Sequence, residues 1–104
     1  MDRESAVKVM LLNQIKISNE ANNDILNING IIWKEDVPVI SKVLKQLYIT
    51  EFTISHITER VCEILVTFEQ HDFKLQGIVK TTTEKGLLKD AFYLRKTLDG
   101  RSNP

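Results

Sequence analysis

Residues 61–83, VCEILVTFEQHDFKLQGIVKTTT, decide the fold that the sequence predicts. Apolar and polar residues alternate over residues 61–69 and again over residues 73–83, which is typical of half-buried strands. The segment between them, residues 70–72, is polar and compatible with a turn. We therefore expect an antiparallel hairpin with its apolar side chains on one face. The expected cross-strand pairs are Phe68 with Phe73, Val66 with Leu75, Ile64 with Gly77, and Cys62 with Val79.

Two elements are expected just before this hairpin. Residues 37–47 carry apolar side chains at helical spacing, Asp36 can cap the helix, and Pro38 falls in its first turn. Residues 48–57 return to a period of two and predict a strand. A short turn at residues 58–60 would connect that strand to the hairpin.

The amino-terminal third is more ambiguous. In residues 7–17 the apolar residues fall mainly at odd positions, which favours a strand, and a helix through Val9, Leu12 and Lys16 is the alternative. Asn29-Gly30 lies between two apolar runs, and this dipeptide is typical of a type I′ hairpin turn. A single continuous strand with Gly30 in its middle is the other interpretation.

The last element also has two interpretations. After a turn at residues 84–86, residues 87–98 contain many good helix formers, so a helix is favoured over a strand. The sequence as a whole predicts an α+β fold, with an antiparallel sheet of about five strands packed by one or two helices. One domain would span residues 1–98, and the polar tail 99–104 would be frayed.

Charge and cysteine content limit the function classes. The 104 residues have a net charge of zero, but residues 1–36 and 37–72 each carry −2 and residues 73–104 carry +4. Cys62 is the only cysteine, so no internal disulfide can form and a reducing cytoplasm is expected. No signal peptide or uncharged apolar run of membrane-spanning length is expected.

Candidate catalytic and metal-binding residues are few. His56 and Cys62 could be cross-strand neighbours, but a structural zinc site needs four ligands and a catalytic site three. The same pair could act as base and nucleophile, yet a thiol on the apolar face would be buried and poorly ionised. No phosphate-binding glycine loop is present. We therefore expect no cofactor, no metal and no enzyme activity.

Two groups of residues are candidates for binding. Trp33, at the end of an apolar run, is a candidate interface anchor or a lid over the core. Basic residues near the carboxyl terminus, interleaved with an aromatic residue, could contact nucleic acid. These residues are Lys85, Lys89, Tyr93, Arg95 and Lys96.

Residues 49–79 resemble a PilZ domain, a β-barrel family whose active members bind cyclic di-GMP. The residues that carry the resemblance are ITEFTISHIT at 49–58 and FKLQGIV at 73–79. The family motif is Asp/Asn-x-Ser-x-x-Gly with an upstream Arg-x-x-x-Arg. Ser55 matches the motif, whereas Thr53 and Thr58 replace the acid or amide and the glycine. Arg3 is the only upstream arginine, so the resemblance implies a barrel without its phosphate clamp.

The function expected from the sequence is a non-enzymatic cytoplasmic domain that acts through protein–protein interaction or self-association. A small sheet with an open edge commonly pairs across that edge, so a homodimer is expected. The alternative is a nucleic-acid- or nucleotide-binding module that uses the basic carboxyl-terminal segment.

Overall fold

The computed structural model describes residues 2–56 and 60–97, except for the side chain of His56. This part of the chain has an α+β fold. A 3₁₀ turn at Lys34–Asp36 leads into the second helix. The helices and strands are α1 (Arg3–Glu20), β1 (Leu26–Asn29), α2 (Val37–Gln46), β2 (Glu51–His56), α3 (Val61–Gln70), β3 (Phe73–Thr82) and β4 (Leu88–Lys96). Of the predicted turn at 58–60 only Arg60 is described, and the predicted frayed tail at 99–104 lies wholly outside the described residues.

The four strands form one mixed sheet in the order β1-β2-β4-β3. Strands β1 and β2 run parallel, and α2 makes the crossover that a parallel pair needs. Strand β4 runs antiparallel to both β2 and β3. Within the described residues, β1 and β3 are therefore the two edges of the sheet.

The core lies between the sheet and the helices. Phe52 of β2 is at its centre, with its ring centroid 5.3 Å from that of Phe68 on α3 and 5.2 Å from that of Phe73 on β3. Leu11 of α1 and Leu44 of α2 are also fully buried in this cluster. Aromatic pairs in such tilted and edge-on arrangements add to the stabilisation from burial.

Strand β3 contains a bulge that exchanges its two faces. Leu75 lies opposite Leu94, but Gly77 lies opposite Tyr93, so one extra residue is inserted between them. Because successive side chains point to opposite faces, the odd-numbered residues face the helices before the bulge and the other side of the sheet after it. Ile78 consequently lies opposite Phe92 on the helix side.

The predicted hairpin at 61–83 is wrong in its first half. Residues Val61–Gln70 form helix α3, with Ile64 and Phe68 buried four residues apart. Val66 and Cys62, expected on the apolar face of a strand, are exposed. The β-barrel implied by the resemblance to PilZ domains is also wrong, because a helix occupies the middle of residues 49–79.

Three further predictions are wrong. The favoured strand at 7–17 is part of the 18-residue helix α1. No hairpin turns at Asn29-Gly30, because β1 ends at Asn29 and pairs with β2 in parallel. The favoured helix at 87–98 is strand β4 over Leu88–Lys96. The sheet therefore has four strands in the described residues rather than about five, and it is mixed rather than purely antiparallel.

Other predictions are confirmed. Helix α2, strands β2 and β3, and the turn at 84–86 are all present, and Gly86 has the positive φ of 81° that a three-residue hairpin loop requires. The capping role of Asp36 is wrong, since its side chain makes no capping hydrogen bond. It forms an ion pair with Arg3 of α1 instead.

Helix α1 covers the open edge of β1. The hydroxyl of Ser18 accepts a hydrogen bond from the N–H of Asn27 at 2.9 Å and donates to the carbonyl of the same residue at 3.4 Å. The Gln14 side-chain oxygen accepts from the N–H of Asn29 at 3.2 Å. These side chains satisfy main-chain groups that a fifth strand would otherwise bind.

Removal of the hydrogen bonds between Ser18 and β1 should destabilise the fold. We expect Ser18→Ala to lower the free energy of unfolding by about 1–3 kcal/mol, because the buried N–H of Asn27 loses its acceptor. Urea denaturation followed by circular dichroism measures the change. Asn13→Ala, at an exposed position on the same helix, is the matched control and should change stability by less than about 0.5 kcal/mol. Equal, small effects of both substitutions would show that the Ser18 contact does not protect the edge.

Candidate interaction surface

The middle of the β3 edge carries main-chain groups that bond to no other residue in the described part of the chain. At its end, the Asn23 side chain accepts from the N–H of Thr82 at 2.9 Å and donates to its carbonyl at 2.8 Å. The main-chain groups of Thr82 therefore point away from β4. Outward-pointing groups recur at every second residue of an antiparallel strand, so those of Lys80 and Ile78 also face outward. Among the described residues, no hydrogen bond is made to the outward N–H and C=O groups of Ile78 or Lys80.

Exposed apolar side chains lie on the hairpin that carries this open edge. Ile78 is 64% exposed, Leu87 is 64% exposed and Leu88 is 70% exposed. We call these three residues the hairpin patch. The register places Ile78 and Leu88 on the same face of the β3–β4 hairpin. Leu88 lies opposite Thr82, and Thr82 is an even number of residues from Ile78 along β3. Exposed large apolar side chains on the hairpin that carries an open strand edge make this hairpin a candidate interaction site.

One ion pair crosses the hairpin between the apolar residues. The Lys80 ammonium lies 2.6 Å from a carboxylate oxygen of Asp90, and both side chains are about two-thirds exposed. Exposed pairs of this kind contribute little to stability. Lys80 therefore still carries a positive charge in the middle of the edge, with Asp90 beside it.

Trp33 does not lie on this surface. It is 57% exposed and immediately precedes the 3₁₀ turn, where its carbonyl accepts from the N–H of Asp36 at 2.9 Å. Trp33 follows β1, and two strands separate β1 from β3 in the sheet. Trp33 is partly exposed, and its role as an anchor or as a lid over the core stays a prediction.

The basic candidates do not form one surface. Lys89 and Arg95 share a face of β4, but they are six residues apart, which is about 20 Å along a strand. Lys96 lies on the opposite face, and Lys85 lies in the turn between β3 and β4. Arg95 has the acidic Glu51 directly opposite it on β2, which dilutes the positive charge further.

Tyr93 is held by a neighbouring carboxylate. Its hydroxyl donates a hydrogen bond to Glu51, and this bond is the first cause that raises the pKa of Tyr93 above its ordinary value of 10.0. Burial and the negative charge of Glu51 act in the same direction. The bond fixes the position of the Tyr93 hydroxyl against β2 and leaves its predicted role in nucleic-acid binding as a prediction.

Cys62 is not placed as the sequence predicted. It is exposed in the first turn of α3, so the expected burial of its thiol is wrong. The described residues hold no group of three or more His, Cys, Asp or Glu side chains arranged to bind a metal ion. None of the described helices is long and apolar enough to cross a membrane.

The fold and this surface define a small α+β domain whose four-stranded sheet is closed at one edge and open at the other. Residues 10–91 match the family described as a domain of unknown function, DUF7698. The match covers most of the 104 residues, and the chain belongs to this family. No curated protein and no solved structure matches the chain.

The hydrogen bond between Tyr93 and Glu51 has a measurable consequence at high pH. Since the pKa of Tyr93 is raised in the folded state, the bond contributes to stability below the unfolded pKa, and this contribution is lost as the pH rises through the folded pKa. We expect Glu51→Gln to lower the pKa of Tyr93 in a Tyr48→Phe background, where Tyr93 is the only tyrosine. Ultraviolet titration of the phenol measures it. An unchanged titration in Glu51→Gln would contradict the assigned bond.

Proposed function

We propose that this protein is a non-enzymatic cytoplasmic domain that self-associates, forming a homodimer in which two β3 strands pair along their open edges. The observation that carries the proposal is that no described residue bonds the outward main-chain groups of Ile78 and Lys80, on the same hairpin as the exposed hairpin patch. Addition of a strand to a free edge is a recurrent mode of protein recognition, in which main-chain hydrogen bonds supply affinity and side chains supply specificity.

The difference between the two edges supports this location. The short edge strand β1 is covered by Ser18 and Gln14 of α1, and the end of β3 is covered by Asn23. The middle of β3 is left without such a cover among the described residues. An uncovered edge invites pairing with another chain, and proteins that remain monomeric usually block it.

The charges on β3 favour a particular antiparallel register between two copies. Strands related by a two-fold axis at Val79 place Ile78 of one copy opposite Lys80 of the second copy, so all outward groups of both residues find partners. An axis at Gly77 would instead place Lys74 of one copy opposite Lys80 of the second copy. An axis at Lys80 would place the two copies of Lys80 opposite each other. Directly opposed like charges destabilise a strand pair. We therefore place the axis at Val79.

Apolar burial must supplement the main-chain hydrogen bonds. Each such bond contributes only about 0.5–1.5 kcal/mol net, and association loses translational and rotational freedom. Burial of the hairpin patch supplies a further favourable term, because removal of apolar area from water contributes about 25 cal/mol per Å². Ile78 belongs to both contributions, since it lies at the open edge and in the patch.

A charge at Ile78 should therefore weaken the dimer. We expect Ile78→Lys to raise the dimer dissociation constant at least about tenfold, because the new lysine removes apolar burial and lies opposite Lys80 of the second copy. Ile78→Pro should act similarly, since it removes only an outward N–H and leaves the hydrogen bonds to β4 intact. Sedimentation equilibrium over a range of protein concentrations measures the constant.

The matched control is Val9→Lys, a substitution of another exposed apolar residue, 56% exposed on α1, which packs on α2 and on β1 at the opposite edge of the sheet. It should leave the dissociation constant unchanged. A wild-type chain that stays monomeric at all accessible concentrations contradicts the proposal, and so does an equal loss in Val9→Lys. Strong, salt-sensitive retention of the monomer on heparin would favour the nucleic-acid alternative instead.

A further inference from the structure

The side-chain amide of Asn23 occupies one end of the β3 edge. It accepts a hydrogen bond from the N–H of Thr82 at 2.9 Å and donates to the carbonyl of the same residue at 2.8 Å. These are the two bonds that a residue of an added antiparallel strand would make. We propose that Asn23 sets the register in which a second copy of this chain pairs with β3. This inference rests on the proposed function, because it concerns the same edge.

The end of helix α1 holds Asn23 in position. After the C-cap residue Ala21, Asn22 adopts a φ of 61°, a left-handed conformation in which asparagine is enriched. The N–H of Asn22 bonds to the carbonyl of Asn19 at 3.1 Å, and the N–H of Asn23 bonds to the carbonyl of Ser18 at 2.9 Å. This pair of bonds is the Schellman motif of helix ends. The helix therefore fixes the main chain of Asn23, and a strand that displaces its amide must break both of its bonds to β3.

Occupation of Thr82 excludes one register of the dimer. An axis at Lys80 would place Ile78 of the second copy opposite Thr82, and the outward groups of these two residues would have to bond to each other. Asn23 already bonds the outward groups of Thr82 and lies where the second strand would run. Without Asn23, an axis at Lys80 would join three pairs of outward residues and an axis at Val79 only two, so main-chain bonding would favour the axis at Lys80.

The bulge in β3 fits the register that remains. With the axis at Val79, Thr82 of one copy lies opposite Gln76 of the second copy. Gln76 is the residue that the bulge inserts, and a bulge bends its strand and interrupts regular pairing. The second strand therefore leaves the regular ladder at the position where Asn23 occupies the edge of the first. Two-fold symmetry repeats this arrangement at the other end of the paired segment.

Disulfide cross-linking at Val79 measures the register. With the axis at Val79, the two copies of this residue form a non-hydrogen-bonded pair with Cα atoms about 4.5 Å apart, which a disulfide can span. With the axis at Lys80 they are diagonal neighbours about 7–8 Å apart, which is too far for an unstrained disulfide. The rate of cross-linking by an added oxidant therefore reports the register in a Val79→Cys, Cys62→Ser chain.

The effect of Asn23 must be separated from that of charge, because repulsion between the two copies of Lys80 opposes the same register. We therefore add Lys80→Gln to the Val79→Cys, Cys62→Ser chain and call the result the reporter chain. Its lysine charge is removed and its Asn23 amide is kept, so it should still cross-link readily at position 79. A reporter chain that dimerises without cross-linking would show that charge, rather than Asn23, sets the register.

Removal of the amide should let the strands slip. We expect Asn23→Ala to slow cross-linking of the reporter chain at least about fivefold at a concentration that saturates the dimer, because the axis at Lys80 then gains hydrogen bonds. The matched control is Asn19→Ala, at an exposed position one turn earlier on α1, which should leave the rate unchanged. Equal rates in dimers of both variants would overturn the role of Asn23 and leave the proposed homodimer standing. A wild-type chain that stays monomeric would instead refute the homodimer itself.

Hydrogen exchange at Thr82 provides a second readout, and it needs no substitution. In the wild-type chain the amide of Thr82 should exchange slowly at every protein concentration, because its bond to Asn23 lies within one chain. Protection that appears only as the concentration rises would show that a second copy bonds Thr82, and this would overturn the proposal even if Asn23→Ala fails to fold. In a folded Asn23→Ala reporter chain, protection of Thr82 should become concentration dependent.

Discussion

The unpaired main-chain groups along the two edges of an open sheet are the constraint on which this structure depends. Each edge presents N–H and C=O groups that must be bonded to side chains, water or another strand. At β1 the side chains of Ser18 and Gln14 satisfy them, which requires residues 3–20 to be helical and to run alongside the strand. At β3 the main-chain groups of Thr82 are satisfied by Asn23, and no other described residue bonds the outward groups of Ile78 or Lys80. The middle of β3 is therefore where we propose that a second copy of the domain binds.

Local sequence patterns predict the elements whose burial has a simple period. Helix α2 presents a clear apolar stripe, and β2 and β3 alternate, so all three follow from the sequence. Residues 61–70 fit both periods. Ile64 and Phe68 satisfy the spacing of a strand as well as that of a helix, and Leu65, which a strand would direct to the other face, favours the helix. Contact between Phe68 and Phe52 of β2, a tertiary interaction, resolves the ambiguity.

The remaining errors come from the same source. Helix α1 has no continuous apolar stripe, since Val9 and Leu12 are exposed, so its periodicity is not informative. Strand β4 contains good helix formers but lies between β2 and β3, where pairing on both sides overrides intrinsic propensity. The open edge could not be predicted either, because the identity of the edge strand depends on the position of β4. The bulge in β3 also places Ile78 on the helix side of the sheet, the same side as Leu88. Simple alternation along β3 would place Ile78 on the face opposite to that of Leu75.

Hydrogen exchange at the edge of β3 tests the central claim most directly. The amides of Ile78 and Lys80 point outward, whereas that of Val79 is directed toward β4. If two copies pair along this edge, exchange at Ile78 and Lys80 should slow as the protein concentration rises, while exchange at Val79 changes much less. Rapid exchange at Ile78 and Lys80 at every concentration, in a chain that nevertheless dimerises, would place the interface elsewhere and contradict this account.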